Sequence, residues 1–227
     1  MKLPFFNRHR YIVVKAYTQS KTIAEKAPIT LSGKANREFL RQKPKKDRLD
    51  PDFRSCFGHI AAQRSSFVLH SWSEMMLFHD DKGLHLKFPA GNNYTTVQFV
   101  DDNGFNPVGM KIVKHEVPWL CECSHPDVPF VMARSIFNTT PMCIPSGVTS
   151  IGMNPTLNFF QHVFPNEEYM IPFNAPLLQM YPQSELPVKV ETYHDMVKFS
   201  EIATATQSRT HFSSTLFRQY RNVLQKR

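Results

Sequence analysis

SFVLHSWSEMMLFHDDKGLHLKF, residues Ser66–Phe88, decides how this chain is read. On an extended backbone Phe67, Leu69, Ser71 and Ser73 fall on one side and Val68, His70, Trp72 and Glu74 on the other, and Met75, Met76 and Leu77 continue the ladder. A period of two is the mark of a strand. Asp80-Asp81-Lys82-Gly83 supplies the residues that tolerate the positive φ of a tight reversal. The stretch therefore predicts a strand over Ser66–Leu77, a turn over His79–Gly83 and a return strand over Leu84–Phe88, entered by a lead-in over Phe53–Arg64. A lone hairpin is only marginally stable in water, so further strands must cover it.

Working outward, the chain supplies them. YIVVKAY near the start, Tyr94–Val100, Gly109–Val117, Trp119–Cys123, Phe130–Phe137, Leu157–Phe164, Tyr169–Phe173, Pro176–Tyr181 and Val188–Tyr193 all read as extended segments. In Leu157–Phe164, Phe159, Gln161 and Val163 oppose Asn158, Phe160, His162 and Phe164. Roughly nine or ten strands with frequent turn signals point to a β-sandwich or barrel. Thr140-Pro141 and Pro145-Ser146-Gly147 mark loops. Helical signals are few: one turn from Ser20 to Glu25 halted by Pro28, and a short candidate over Ala35–Gln42. Near the other end a helix is expected over Asp195–Ala203, followed by a break and cap at Thr206-Gln207-Ser208. Beyond it Phe212, Leu216, Phe217, Tyr220, Val223 and Leu224 form an amphipathic stripe with Arg209, Arg218, Arg221 and Arg227 around it. The expected fold is mainly β: a β-sandwich or jelly-roll-like body with a basic N-terminal arm and a C-terminal amphipathic helix. The expected division is a basic strand and extended arm over 1–52, the β body over 53–194 and the helical segment over 195–227.

Composition agrees with a packed body. Across 227 residues 41% are hydrophobic and 12% aromatic, with 19 Phe, which excludes a disordered chain. No apolar run reaches the roughly 18 residues of a membrane-crossing helix. In MKLPFFNRHRYIVVKAY the basic residues lie on the wrong side of the apolar run for a secretory signal. The expectation is a soluble, intracellular chain with no membrane partner.

Charge is unevenly placed. Residues 1–50 hold 13 Lys and Arg against 4 Asp and Glu, a net of +9, and residues 204–227 hold 5 basic and no acidic residues. The stretch between, 51–203, has 9 basic against 15 acidic residues, a net of −6. An acidic body with two basic ends implies that the ends meet something negative. Contact through Arg8, Arg10, Lys43, Lys45, Lys46 and Arg48, with Arg218 and Arg221 from the other end, could be to nucleic acid or to a neighbouring subunit. The former would be phosphate-directed and salt-sensitive. Aromatic residues do not interleave the run at 41–48, which disfavours a base-stacking platform. Docking on a neighbour is the preferred reading, with the ends held in place by that contact.

Catalytic signals are sparse. Among Cys56, Cys121, Cys123 and Cys143, the Cys121-Glu122-Cys123 triplet with His125 imitates a zinc site, but structural zinc favours C-x2-C and a second ligand pair. Both thiols fall on one side of a strand, so buried, reduced cysteines are expected. His79-Asp80-Asp81 contains an H-x-D, and His115, His125 and His162 follow, as a cupin-like iron oxygenase would require. The same residues are also what a hairpin tip needs. Asp101-Asp102 and Glu167-Glu168 are loop neighbours rather than carboxylates facing each other across a pocket. No Ser or Cys has a base beside it in the sequence, and there is no P-loop, GxGxxG or nucleophile elbow. The reading predicts no catalytic site, no metal site and no cofactor.

Several segments carry a family likeness: MKLPFF followed by IVVKAY, the Cys56-Phe57-Gly58 lead-in, FVLHSWSEMML closed by a charged turn, IPFNAPLLQMYP before VKVET, and FRQYRN near the end. In these the chain resembles a family of uncharacterised phage-encoded proteins with a cupin or jelly-roll-like β core. That resemblance implies a phage gene product made in the host cytoplasm. The functional expectation is a non-enzymatic structural protein located in the virion, an accessory component of capsid, neck or tail. It would dock through its basic ends on other virion proteins or on copies of itself. The alternatives are a cupin-like metal-dependent oxygenase and a nucleic-acid-binding accessory protein.

Overall fold

The structure, a computed structural model, describes residues 11–35, 65–88, 110–137, 140 and 142–208, and the backbone alone of 96–100. Fourteen strands occur among these residues. The first part of the chain forms β1 (Ile12–Thr18), helix α1 (Lys21–Lys26), β2 (Thr30–Leu31), β3 (Phe67–His70), β4 (Met75–Asp80) and β5 (Gly83–Lys87). The middle forms β6 (Thr96–Val100), β7 (Lys111–Glu116), β8 (Leu120–Cys123), β9 (Phe130–Arg134) and β10 (Gly147–Thr149). The last part forms β11 (Phe159–Val163), β12 (Glu168–Ile171), β13 (Pro176–Pro182), β14 (Val188–His194) and helix α2 over 196–208. The fold is mainly β, with several sheets and a C-terminal helix. Residues 1–10 and 36–52 of the expected basic arm, the stripe beyond 208 and the lead-in over Phe53–Arg64 lie outside the described residues.

Ser66–Leu77 is two strands rather than one. β3 joins the sheet ordered β10-β9-β13-β3-β2, and β4 joins the sheet ordered β12-β4-β5. His70 faces Pro176 and Met75 faces Ile171, so four residues on one strand match four on the other across the gap. One antiparallel ribbon therefore bends at 71–74 and 172–175, beside a one-residue shift of register between Pro176 and Leu178, and passes from one sheet to the next. Local chemistry makes the bend. Ser71 Oγ donates to the Ser73 carbonyl at 2.6 Å, a side-chain bond that competes with extended pairing. Opposite it, Asn174 takes φ 61°, the left-handed region that Asn tolerates, and its N–H donates to the Ser71 carbonyl at 2.8 Å.

The bend also shifts the phase of burial. Phe67, Leu69, Trp72, Met75 and Leu77 all enter the main core, a spacing that strict alternation cannot produce. Trp72 is the pivot: it is 1% exposed and packs edge-on against Phe159 and His115 at 6.4 and 6.5 Å. The hairpin after the bend is tighter than expected, since β4 runs on to Asp80 and Gly83 already pairs back at φ 119°. Lys82 N–H donates to Asp80 Oδ1 at 2.8 Å, the Asp bond that closes such turns.

Buried polar side chains lock the layers. Gln179 Nε2 donates to Ser32 and Ser66 Oγ at 3.0 and 3.1 Å, tying the segment after β2 to β3 and β13. His115 stacks on Phe159 at 4.6 Å and pairs through Nε2 with Gln161 Oε1 at 2.9 Å. Sequestered from water, its imidazole is pushed down to about 4 by desolvation, which favours the neutral ring.

The third sheet has the order β14-β1-β8, with β1 parallel to β14 and antiparallel to β8. Ile12, Val14 and Ala16 face the main core, while Tyr17 and Leu120 cluster with Ile202 of α2 on the other side. α2 does not stop at Thr206. Thr206 and Ser208 donate their hydroxyls to the carbonyls of Ile202 and Thr204 at 2.7 and 3.0 Å, so they serve the helix from inside instead of capping its end. β2 and β10 are further departures from expectation. Both are too short for a periodic signal, and β10 grows out of the Pro145-Ser146-Gly147 loop.

Candidate functional site

A cleft of about 440 Å³ opens between α2 and the β14-β1-β8 sheet. Val13, Lys15 and Glu122 line it from the strands, and Ile202, Ala205 and Thr206 from the helix. Its third wall is the loop holding Ile151 and Gly152. Ser150 Oγ donates to the Pro126 carbonyl at 2.7 Å, and a Cβ on Gly152 would lie 2.3 Å from Pro126, so only glycine lets this loop close down on the 124–127 turn. Across the sheet surface Tyr17 donates its hydroxyl to Glu122 at 3.1 Å and stacks on Tyr193 at 5.4 Å. Burial, with the Glu122 carboxylate second, raises the Tyr17 phenol to about 12. Lys198 of α2 reaches Glu122 at 3.0 Å and Glu201 at 3.5 Å.

The position of the cleft matters more than its volume. One wall contains Val13, two residues from the first described residue, and another contains Thr206, two residues from the last. Residues near both limits of the described chain therefore line one cleft. The stretches 1–10 and 209–227 carry three and five basic residues and no acidic residue. All eight residues expected to contact a partner, Arg8, Arg10, Lys43, Lys45, Lys46, Arg48, Arg218 and Arg221, lie outside the described residues.

The expected zinc mimic resolves into ordinary thiols. Cys121 is 1% exposed, and burial raises its thiol well above the ordinary range. Cys123 donates to the His125 carbonyl at 3.3 Å, and desolvation raises its thiol too. The His125 ring turns elsewhere, its Nδ1 2.9 Å from Ser124 Oγ. At the hairpin tip Asp80, not Asp81, takes the partner: its Oδ1 lies 2.9 Å from His85 Nε2. That hydrogen bond holds the Asp80 carboxyl below its ordinary range. Among the described residues no three His, Cys, Asp or Glu side chains are gathered to hold a metal ion, so His79 and Asp81 do not assemble a facial triad there with His115, His125 or His162.

One pairing is made only by the fold. Cys143 Sγ lies 3.8 Å from His162 Nδ1, so a cysteine does have a base beside it. Cys143 and His162 form an isolated antiparallel bridge, with His162 N–H donating to the Cys143 carbonyl at 2.8 Å. Both side chains are half-buried. Alternation sets their direction: Met142 and Ile144 are buried on either side of the cysteine, as are Gln161 and Val163 on either side of the histidine. The alternation of β11 is legible in the sequence, but that of Met142-Cys143-Ile144 is hidden by the prolines flanking it.

Compared with known proteins, the chain matches no family model and no curated protein.

Proposed function

We propose that the chain is a non-catalytic docking subunit of a larger assembly, an accessory virion component by the phage-family resemblance, whose basic ends grip neighbouring copies. The observation that carries this reading is the division of charge: residues 1–10 and 209–227 hold eight positive and no negative charges, while Val13 and Thr206, near the limits of the described residues, line one cleft. For these basic ends the 51–203 stretch, with a net of −6, is the natural complement on the next copy. The body on this reading is a jelly-roll-like sandwich. The bent ribbon at 71–74 and 172–175 supports it, because sandwiches use such bends to pass strands between sheets.

Light scattering on the full chain tests the proposal. We expect oligomers at low salt that dissociate as ionic strength passes a few tenths molar, where exposed charges are screened beyond roughly 5 Å. Deleting either 1–10 or 209–227 should shift the population towards monomer. A chain that stays monomeric at all concentrations overturns self-docking. If that monomer binds duplex DNA with a steep salt dependence, the nucleic-acid reading replaces it.

A further inference from the structure

We propose that Cys143 is the most reactive thiol among the described residues, a site of mixed-disulfide formation with small disulfides, and that His162 is the base that activates it. Three thiols fall among the described residues, and they differ in surroundings. Cys121 is sealed in the core, and Cys123 donates its S–H in a hydrogen bond to the His125 carbonyl. Cys143 points away from the core, half-exposed, with an imidazole nitrogen 3.8 Å from its sulfur. That contact is within reach of a thiol–imidazole hydrogen bond, and the backbone bridge between the two residues holds it in place. A thiolate is a soft nucleophile, and a neighbouring base that takes the thiol proton is the usual means of producing one.

The step balances without any further reactant. His162 Nδ1 accepts the Cys143 proton, and Cys143 Sγ attacks one sulfur of the small disulfide. The S–S bond breaks, and the departing thiolate takes the proton back from the imidazolium. The protein thiol is oxidised to a mixed disulfide while the small disulfide is reduced to one free thiol. A second small thiol reverses it, so the modification is reversible and follows the redox state around the protein.

The test is oxidised glutathione added to the full chain, with occupancy of each cysteine followed over time by peptide mass mapping. We expect Cys143 to be modified at least about tenfold faster than Cys123 or Cys121, and His162→Gln, which keeps a hydrogen-bonding side chain but takes no proton, to remove most of that advantage. Circular dichroism of the variant shows whether the fold is kept. Should H162Q unfold, the ranking of the three thiols within the wild-type chain still decides. Modification of Cys143 no faster than Cys123, or an unchanged rate in a folded H162Q, overturns the proposal.

Discussion

The bend at Trp72 and the seat of α2 hold their parts of the molecule in different ways. At the bend, Trp72, Phe159, His115, Met75 and Leu77 are each 2% exposed or less, and aromatic edges and faces interlock. At the α2 seat, Ile202 at 9% is the main anchor, Phe199 and Ala203 are partly covered, and Met196 and Val197 stand 60% and 72% exposed on the same helix. Polar contacts of Lys198 make up the remainder. The first region belongs to the cooperative core; the second is an element docked on it by a small apolar cluster. Local stability follows buried contact, so α2 can open while the sheets stay folded. The α2 wall of the cleft can thus be remodelled without unfolding the body.

The comparison breaks if the bend proves dispensable. Trp72→Ala should cost about 3–5 kcal/mol, because the interlocked aromatics leave a cavity that rigid strands cannot close. Denaturant melts should show the loss as a lower midpoint with one transition. A loss under about 1 kcal/mol would mean that the ribbon does not organise the core.

A pH titration sharpens the same side. His115 titrates near 6.5 when unfolded and is pushed down to about 4 in the core, chiefly by desolvation. The unfolded chain therefore takes up its proton first. The stability contribution is complete above pH 6.5, erodes as pH falls from there, and is gone below about pH 4. The shift is worth about 3 kcal/mol over that window. His115→Gln, which can keep a bond to Gln161, should flatten the acid slope of stability relative to wild type. Parallel slopes for the two proteins would show that the imidazole is not the group being desolvated.

How far each region is legible in sequence follows from its physics. Period two in Phe159–Val163 announces its buried face directly, and the hairpin chemistry of Asp80–Gly83 places a reversal to within a residue. The bend is hidden because Ser71 and Ser73 fit an alternating pattern as well as they fit a corner. Only the facing Asn174–Ala175 backbone, a hundred residues away, decides between them. The Cys143–His162 pair is hidden for the same reason. Nineteen residues and a proline-edged loop separate two side chains that only the fold brings together. Thr206 and Ser208 read as a cap because their hydroxyls suit one, yet the same hydroxyls bond back into the helix once α2 has a surface to lie on. Charge asymmetry needs no fold to be seen, but the shared cleft of Val13 and Thr206 does.

The smallest expected effects lie at the α2 seat, and they test the claim that its apolar cluster outweighs its ion pairs. Ile202→Ala removes the buried member that bridges to Tyr17 and Leu120, and at the edge of a cluster this costs about 2 kcal/mol, the lower end of the core range. The loss should be local. Hydrogen exchange over 196–208 should accelerate while the amides of β3, β13 and β9 keep their protection. Lys198→Met keeps the aliphatic stem and removes the bonds to Glu122 and Glu201, both of which are solvent-exposed enough for water to replace them. It should leave both the melting midpoint and the exchange of 196–208 unchanged. If instead Lys198→Met frees the helix and Ile202→Ala does not, then charge seats α2. In that case salt would loosen α2 over the same range in which the proposed oligomer is expected to dissociate, and measuring exchange on the chain lacking 209–227 would separate the two effects.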